Sequence, residues 1–182
     1  MEEYAYVLDY VSQGVGGKFD KKEPAVYAVG DSDFKLFELV TKAGAVVNIG
    51  DRVYIGKDNS KRTAIDHVKR RIGYDDLSNM AVSELEYSVE TAVKANEPRF
   101  IKFYNEAGPV TIKKHLLEEL PGLGKKTMMA ILEERDKNGP FKGYADLTAR
   151  VSGLKNPEKL IAARIVLEIS DPNRKRYLFV LR

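Results

Sequence analysis

At 182 residues the chain is long enough for one large domain or two small ones, and an apolar fraction of 43% supports a core without any run that reaches membrane-span length. Cysteine is absent, which excludes disulfides, thiolate metal sites and cysteine nucleophiles and fits a reducing cytoplasm. The net charge of +3 is unevenly spread: residues 1–60 hold 7 Lys/Arg against 10 Asp/Glu, while residues 61–182 hold 23 against 17, which makes the second part the electrostatic candidate for a polyanion.

The opening Met1-Glu2-Glu3-Tyr4 lacks the cationic and apolar stretches of a signal peptide. Tyr4, Tyr6, Leu8 and Tyr10 alternate with Ala5, Val7, Asp9 and Val11, the two-residue period of a strand. Ala25–Val29 and Phe34–Thr41 read as further strands around the turn-rich Gly30-Asp31-Ser32-Asp33. Val46–Ile49, Gly50-Asp51 and Arg52–Ile55 read as a hairpin or a bent strand. Short strands at this spacing predict a small β-barrel over residues 1–60, with the domain boundary at Lys57-Asp58-Asn59-Ser60. Tyr4, Tyr6, Tyr10, Tyr27 and Tyr54 on those strands could stack bases, but the acidic balance of this part favours rings that fill its core. The barrel then becomes a candidate face for a protein partner.

Residues 61–182 read as all-helical. Thr63–Ile72 is predicted as a basic helix whose Lys69, Arg70 and Arg71 form a basic patch or simply suit a helix C-terminus. Ser83 and Glu86 form a capping box for a helix to about Ala95, and Pro98 fits the first turn of the next, which Gly108-Pro109 ends. Then comes Leu120-Pro121-Gly122-Leu123-Gly124-Lys125-Lys126-Thr127, with Leu116 and Leu117 before it and Met128, Ile131 and Leu132 after it. Pro121 cannot continue a helix, the glycines permit a sharp turn, and the following helix starts with unblocked N–H groups beside two lysines, a ready phosphate site. A degenerate echo follows at Val151-Ser152-Gly153-Leu154, where Lys155-Asn156 replaces the second glycine and Pro157 opens another apolar-faced helix. The tail Arg174–Val180 reads as a basic cluster and a short apolar strand.

The Leu-Pro-Gly-Leu-Gly stretch closely resembles the helix-hairpin-helix motif of nucleic-acid repair and processing proteins. The resemblance implies one hairpin over residues 116–135 and a degenerate copy over 146–169. It implies sugar–phosphate contact without sequence reading, through Gly122, Leu123, Gly124, Lys125, Lys126 and Thr127, with Gly153 and Lys155 of the second copy. It further implies a K+ or Na+ at the carbonyls of Glu118, Leu120 and Leu123. Met128 departs from the small residue usual in that family. Gly-Asp-Arg-Val-Tyr-Ile at residues 50–55 looks like strand entries of oligonucleotide-binding and S1-like barrels. As a whole the chain is similar to a little-characterised archaeal family that joins a small barrel to such a helical module.

The expectation is therefore an α+β protein, an OB-like barrel followed by an all-α domain with tandem hairpins. It binds RNA or DNA non-enzymatically, needs no other cofactor, makes no membrane contact and works in the cytoplasm. The alternative is a scaffold whose barrel docks a protein. A glycosylase-like enzyme is the weaker reading: Lys126 and Asp146 imitate such a pair, yet the helices for a base pocket are too few. Adjacent carboxylates Asp75-Asp76 and Glu133-Glu134 diverge too far to share metal ions, and His67 and His115 stand without metal-ligating neighbours.

Overall fold

The computed structural model describes residues 1–11 and 23–182; the part of the expected barrel segment at 12–22 lies outside them. The described residues form a mixed α+β protein with a curled five-strand antiparallel half-barrel and five α-helices, divided into two compact units. The first unit comprises Met1–Val89 and Ile165–Arg182, the second Glu90–Arg164.

In the first unit the strands β1 (Tyr4–Val11), β2 (Ala25–Gly30), β3 (Leu36–Thr41), β4 (Arg52–Tyr54) and β5 (Ile65–Arg71) lie in the order β4-β1-β2-β3-β5. One face carries Ala5, Val7, Val26, Ala28, Phe37 and Leu39, joined by Val53, Ile55 and Ile65 in a single core. Register makes this face: Ala5 opposes Val53, Val7 opposes Ala28, and Val26 opposes Leu39. Every residue of β2 is buried, which accounts for its unbroken Ala-Val-Tyr-Ala-Val run. Strict alternation from Val7 would aim Asp9 into the core. A register shift between Val7 and Asp9 prevents it: Asp9 pairs with Tyr27 on the opposite face and accepts the Ser78 hydroxyl at 2.6 Å.

The segment Thr63–Ile72, expected to be helical, is instead the edge strand β5 with its flanks, so the sheet draws on residues beyond position 60. Two register shifts against β3 and an outward row of charges conceal its period of two. Its place is fixed by Glu38 of β3, a fully buried carboxylate whose charge is met by Arg70 at 2.9 Å and Lys69 at 3.9 Å. Val46–Ile49 forms no strand. Asn48 and Asp51 instead close a local turn there, with the Asn48 N–H donating to the Asp51 carboxylate at 2.8 Å.

The edge strands β4 and β5 share no ladder. The Arg62 guanidinium spans the seam, donating to the carbonyls of Gly56 (2.6 Å) and Ile55 (3.4 Å) on one side and Asp66 (3.1 Å) on the other. Helix α1 (Asn79–Ala95) starts about a turn before the predicted Ser83 box. Ser78 is the effective cap: its hydroxyl accepts the Ala81 N–H while donating to Asp9, a choice that only the folded sheet makes available.

The second unit contains α2 (Glu97–Glu106, Pro98 in its first turn), α3 (Lys125–Asn138), α4 (Tyr144–Arg150) and the start of α5 (Pro157–Ser170), whose end belongs to the first unit. The buried Tyr104 hydroxyl donates to the Pro157 carbonyl at 2.6 Å, and the Asn105 amide pairs both ways with the backbone of Phe141. Arg150 ties the α3–α4 connection through Glu134, Asp146 and the Gly139 carbonyl, its guanidinium resting on the Phe141 ring. The tail after α5 forms no strand; Glu168 holds it by accepting the N–H groups of Leu178, Phe179 and Val180. Among the described residues no helix is long and apolar enough to cross a membrane.

Replacing Arg62 by Ala leaves three carbonyls of the seam with a lost charged donor, and is expected to lower unfolding free energy by about 1–3 kcal/mol. Denaturant titration checks this; an unchanged midpoint would show that the seam is held elsewhere.

Candidate nucleic-acid interface

Two turns of the second unit have the same construction. In Leu120–Leu123 the Leu123 N–H donates to the Leu120 carbonyl at 3.3 Å with Gly122 at φ +86°; in Val151–Leu154 the Leu154 N–H donates to Val151 at 3.3 Å with Gly153 at φ +88°. Each is a four-residue turn whose third residue must be left-handed, hence glycine. The turns also pack reciprocally. A Cβ at Gly122 would lie 3.4 Å from Leu160 of α5, and one at Gly153 would lie 3.8 Å from the Thr127 hydroxyl of α3. The buried apolar residues Leu120, Met128, Ile131, Leu147, Val151 and Leu154 lie in or beside these turns, and Met128 fills its place at 5% exposure.

The approach to the first turn is short. Leu116–Glu119 is a single 3-10 turn rather than a full helix. His115 caps it: Nδ1 accepts the Leu117 N–H at 3.1 Å, while the Glu118 carboxylate accepts the His115 N–H at 2.7 Å. Burial, then Arg135, lowers the His115 pKa from its ordinary 6.5. Glu119 is clasped by Lys114 at 2.9 Å and by the almost wholly buried Arg164 at 2.9 Å, with its pKa lowered first by the Lys114 hydrogen bond. Arg164 was not legible as a support of this turn, because its partner Glu119 lies 45 positions away; the partners of His115 are two and three residues on, but histidine is not among the usual capping residues.

The helix starts differ. Gly124 precedes α3 at φ −72° with no side-chain cap, and a Cβ there would meet nothing within 4 Å. Gly124, Lys125 and Lys126 are exposed, with Leu123 and Thr127 half-buried. This leaves the first N–H groups of a 14-residue helix open beside two ammonium groups. In the second copy Lys155 is exposed, but Asn156 takes a left-handed φ of +52° and Pro157, lacking an N–H, opens α5. The substitution for the second glycine therefore delays the helix by a residue and removes a donor.

The other expected positions fall elsewhere. Lys69 and Arg70 face the Glu38 carboxylate on β5, so they terminate no helix, whereas Arg71 is exposed. The Leu120 carbonyl accepts the turn bond and keeps a second lone pair; those of Glu118 and Leu123 border the same turn. Asp146 lies in α4, where it accepts the Lys142 N–H at 2.9 Å and pairs with Arg150; the Lys142 bond first, then Arg150, lowers its pKa. Of the sheet tyrosines, Tyr6 and Tyr27 are buried and burial raises both hydroxyl pKa values. Tyr4 meets Tyr54 edge-on at 5.2 Å under the Arg52 guanidinium, and Tyr10 is 54% exposed.

Two measurements test this geometry. Gly122→Ala forces alanine into the left-handed region and is expected to cost about 1–2 kcal/mol, while Gly124→Ala, at an ordinary φ facing open space, leaves stability within about 0.5 kcal/mol. Equal losses would contradict the turn assignment. Because the folded state lowers the pKa of His115, the stability tied to its neutral ring is present above pH 6.5 and is lost as pH falls through the folded value. His115→Asn keeps a capping oxygen without titrating, so unfolding free energy should fall less between roughly pH 7 and 5 than in the unmodified chain; parallel curves would remove His115 from the cap.

Known proteins match the chain over almost its whole length. The family model described as "Protein of unknown function (DUF655)" matches residues 1–181. The chain is 46% identical over 180 residues to "Uncharacterized protein MJ0038" of Methanocaldococcus jannaschii, covering 98% of this chain and 80% of that protein. It is similar to the crystal structure of Af1531 from Archaeoglobus fulgidus, described under the same family model, at 41% identity and a TM-score of 0.87, covering 99% of this chain and 100% of that one. The chain belongs to the DUF655 family, which has archaeal members.

Proposed function

We propose that this protein binds RNA or DNA without chemistry and largely without reading sequence, through phosphate contacts at a paired helix-hairpin-helix module. The observation that carries the reading is the pair of matching glycine turns in reciprocal contact, one leading into an uncapped helix start with Lys125 and Lys126 exposed. Gly122 and Leu123 shape the approach, Gly124 leaves room for a phosphate, and the N–H groups and side chains of Lys125, Lys126 and Thr127 supply donors. Gly153 and Lys155 add a weaker contact, since Pro157 withholds an N–H. Arg71, exposed at the end of β5, is the member of the basic patch open to a polyanion. K+ or Na+ suits the hard carbonyl oxygens of Glu118, Leu120 and Leu123 and would offset their partial negative charge toward an approaching phosphate. The strand order β4-β1-β2-β3-β5 suits an OB-like barrel whose β4–β5 seam stays open.

Catalysis is disfavoured because the Asp146 carboxylate is committed to Lys142 and Arg150 and supports the α4 start. A scaffold reading finds its support in Val46 (83% exposed) and Ile49 (44% exposed), an apolar pair on the β3–β4 connection suited to a protein partner. Both readings place the protein in the cytoplasm.

Titration of single- and double-stranded RNA and DNA across salt concentrations tests the proposal. Affinity should weaken with salt, and the double change of Lys125 and Lys126 to Glu should weaken it more than about tenfold and flatten the salt slope by about two. Binding unchanged by that variant removes the hairpin; no binding at low salt, with a protein captured through Val46 and Ile49, favours the scaffold.

A further inference from the structure

The first unit holds a cleft of about 490 Å³ that plays no part in the hairpin module. A volume in this range accommodates a small organic ligand. Its walls come from the β2–β3 turn, the end of β5 with the 3-10 turn Tyr74–Asp76, the last turn of α5, and the tail.

The walls are irregular backbone held by hydrogen bonds. Phe34, 1% exposed, holds a left-handed φ of +59°, a conformation that a bulky side chain adopts only when its surroundings impose it. The buried Glu2 carboxylate imposes it from one side, accepting the N–H groups of Ser32 at 3.0 Å and Asp33 at 2.7 Å. From the other side the Leu181 N–H donates to the Asp33 carbonyl at 3.2 Å. Glu168 fixes the tail through three successive N–H groups, so its carboxylate is committed to backbone although it lines the cleft. Asp76 is committed likewise, to the Gly73 N–H at 2.8 Å.

The groups left to face a ligand are aromatic, cationic and acidic. Tyr74 and Tyr177 offer aromatic surface, and the Arg182 guanidinium lies 4.5 Å from the Tyr177 ring centroid, a flat cationic cover. Arg71 and Asp75 are exposed lining residues that form no ion pair among the described residues. Aromatic faces for a base, a guanidinium for a phosphate and a carboxylate for an exocyclic amine together describe a nucleotide. We propose that this cleft binds a nucleotide, its base against Tyr74 and the stacked Arg182–Tyr177 pair, its phosphate at Arg71 and its amino group at Asp75. The ligand is a free nucleoside monophosphate or the unpaired terminal nucleotide of a strand, which present the same chemistry.

Calorimetry with the full chain and the four common nucleoside 5′-monophosphates tests the site, with nucleosides, inorganic phosphate and a 5′-phosphorylated trinucleotide as further arms. At least one nucleotide should bind, and Arg71→Ala should weaken it tenfold or more while leaving the nucleoside unaffected; Arg71→Lys should recover part of the loss. Tyr74→Leu should weaken nucleotide and nucleoside alike, and Tyr74→Phe should weaken neither. Tighter binding of the trinucleotide identifies a strand terminus as the source, and equal or weaker binding identifies the free nucleotide. The variant with Lys125 and Lys126 changed to Glu should bind nucleotides unchanged, so failure of the hairpin reading and of this one are told apart. No nucleotide binding at millimolar concentration, phosphate binding as tight as any nucleotide, or Arg71→Ala indistinguishable from the unmodified chain with an unchanged melting temperature would each overturn the proposal.

Discussion

The second unit depends on a left-handed residue at the third position of each of two turns. At Gly122 and Gly153 the backbone reverses within four residues, at φ values two degrees apart that other residue types reach only with strain. The reversal sets the exit direction of α3 and α5, and glycine also supplies the close approach. Leu160 and Thr127 occupy the space over the turns where side chains would otherwise stand. Reciprocal packing follows from the repeated geometry: each turn rests against the opening of the other copy's helix. A single such turn would leave its glycine face bare to water.

From that shared frame the copies diverge by local chemistry alone. Gly124 sits at an ordinary φ, so its value lies in what it leaves open rather than in the backbone it permits. Lys155-Asn156-Pro157 keeps the turn and loses the open helix start, because Asn156 turns left-handed and Pro157 has no N–H. On the proposed reading the first copy grips phosphate while the second keeps the pair together. The sheet solves a related problem with side chains: Arg62 spans the unladdered seam, and Glu2 and Glu168 supply acceptors to backbone that belongs to no strand. Irregular connections next to such a small sheet are thus held by buried or half-buried polar side chains whose donors and acceptors meet backbone groups.

The Pro-Gly-Leu-Gly turn and its echo were legible because proline and glycine act locally, and so were Pro98 and Pro157 in first helical turns. Strands β1 to β3 were legible because their apolar runs are buried. β5 was not: its charged residues read as a helix until Glu38, some thirty positions earlier, demanded cations beside it. The Ser78 cap depended on Asp9, and the bulge at Leu8 on keeping that same Asp9 from the core. These three features depend on partners distant in sequence, which local periodicity does not sample; the turn at Asn48–Asp51 is local, and its apolar Val46–Val47 run simply imitates a strand. The cleft beside Phe34 was equally hidden, since its walls come from four separate segments.

Net charge is a poor guide to where a polyanion would touch this chain. Residues 61–182 hold the cationic surplus, yet much of it is internally assigned. Lys69 and Arg70 answer Glu38, Lys114 and Arg164 answer Glu119, Arg150 answers Glu134 and Asp146, and Lys137 pairs with Glu133. The exposed Lys137–Glu133 pair can open at little cost, but the cations that meet the buried or half-buried Glu38, Glu119 and Glu134 cannot turn to a phosphate without stranding a carboxylate. Lys125, Lys126 and Lys155 stand exposed at the turns, beside backbone donors that need no reorganisation. On the proposed reading, such a surface makes a few fixed phosphate contacts rather than a diffuse cationic coat, and the spacing of phosphates along a strand matters more than its bases.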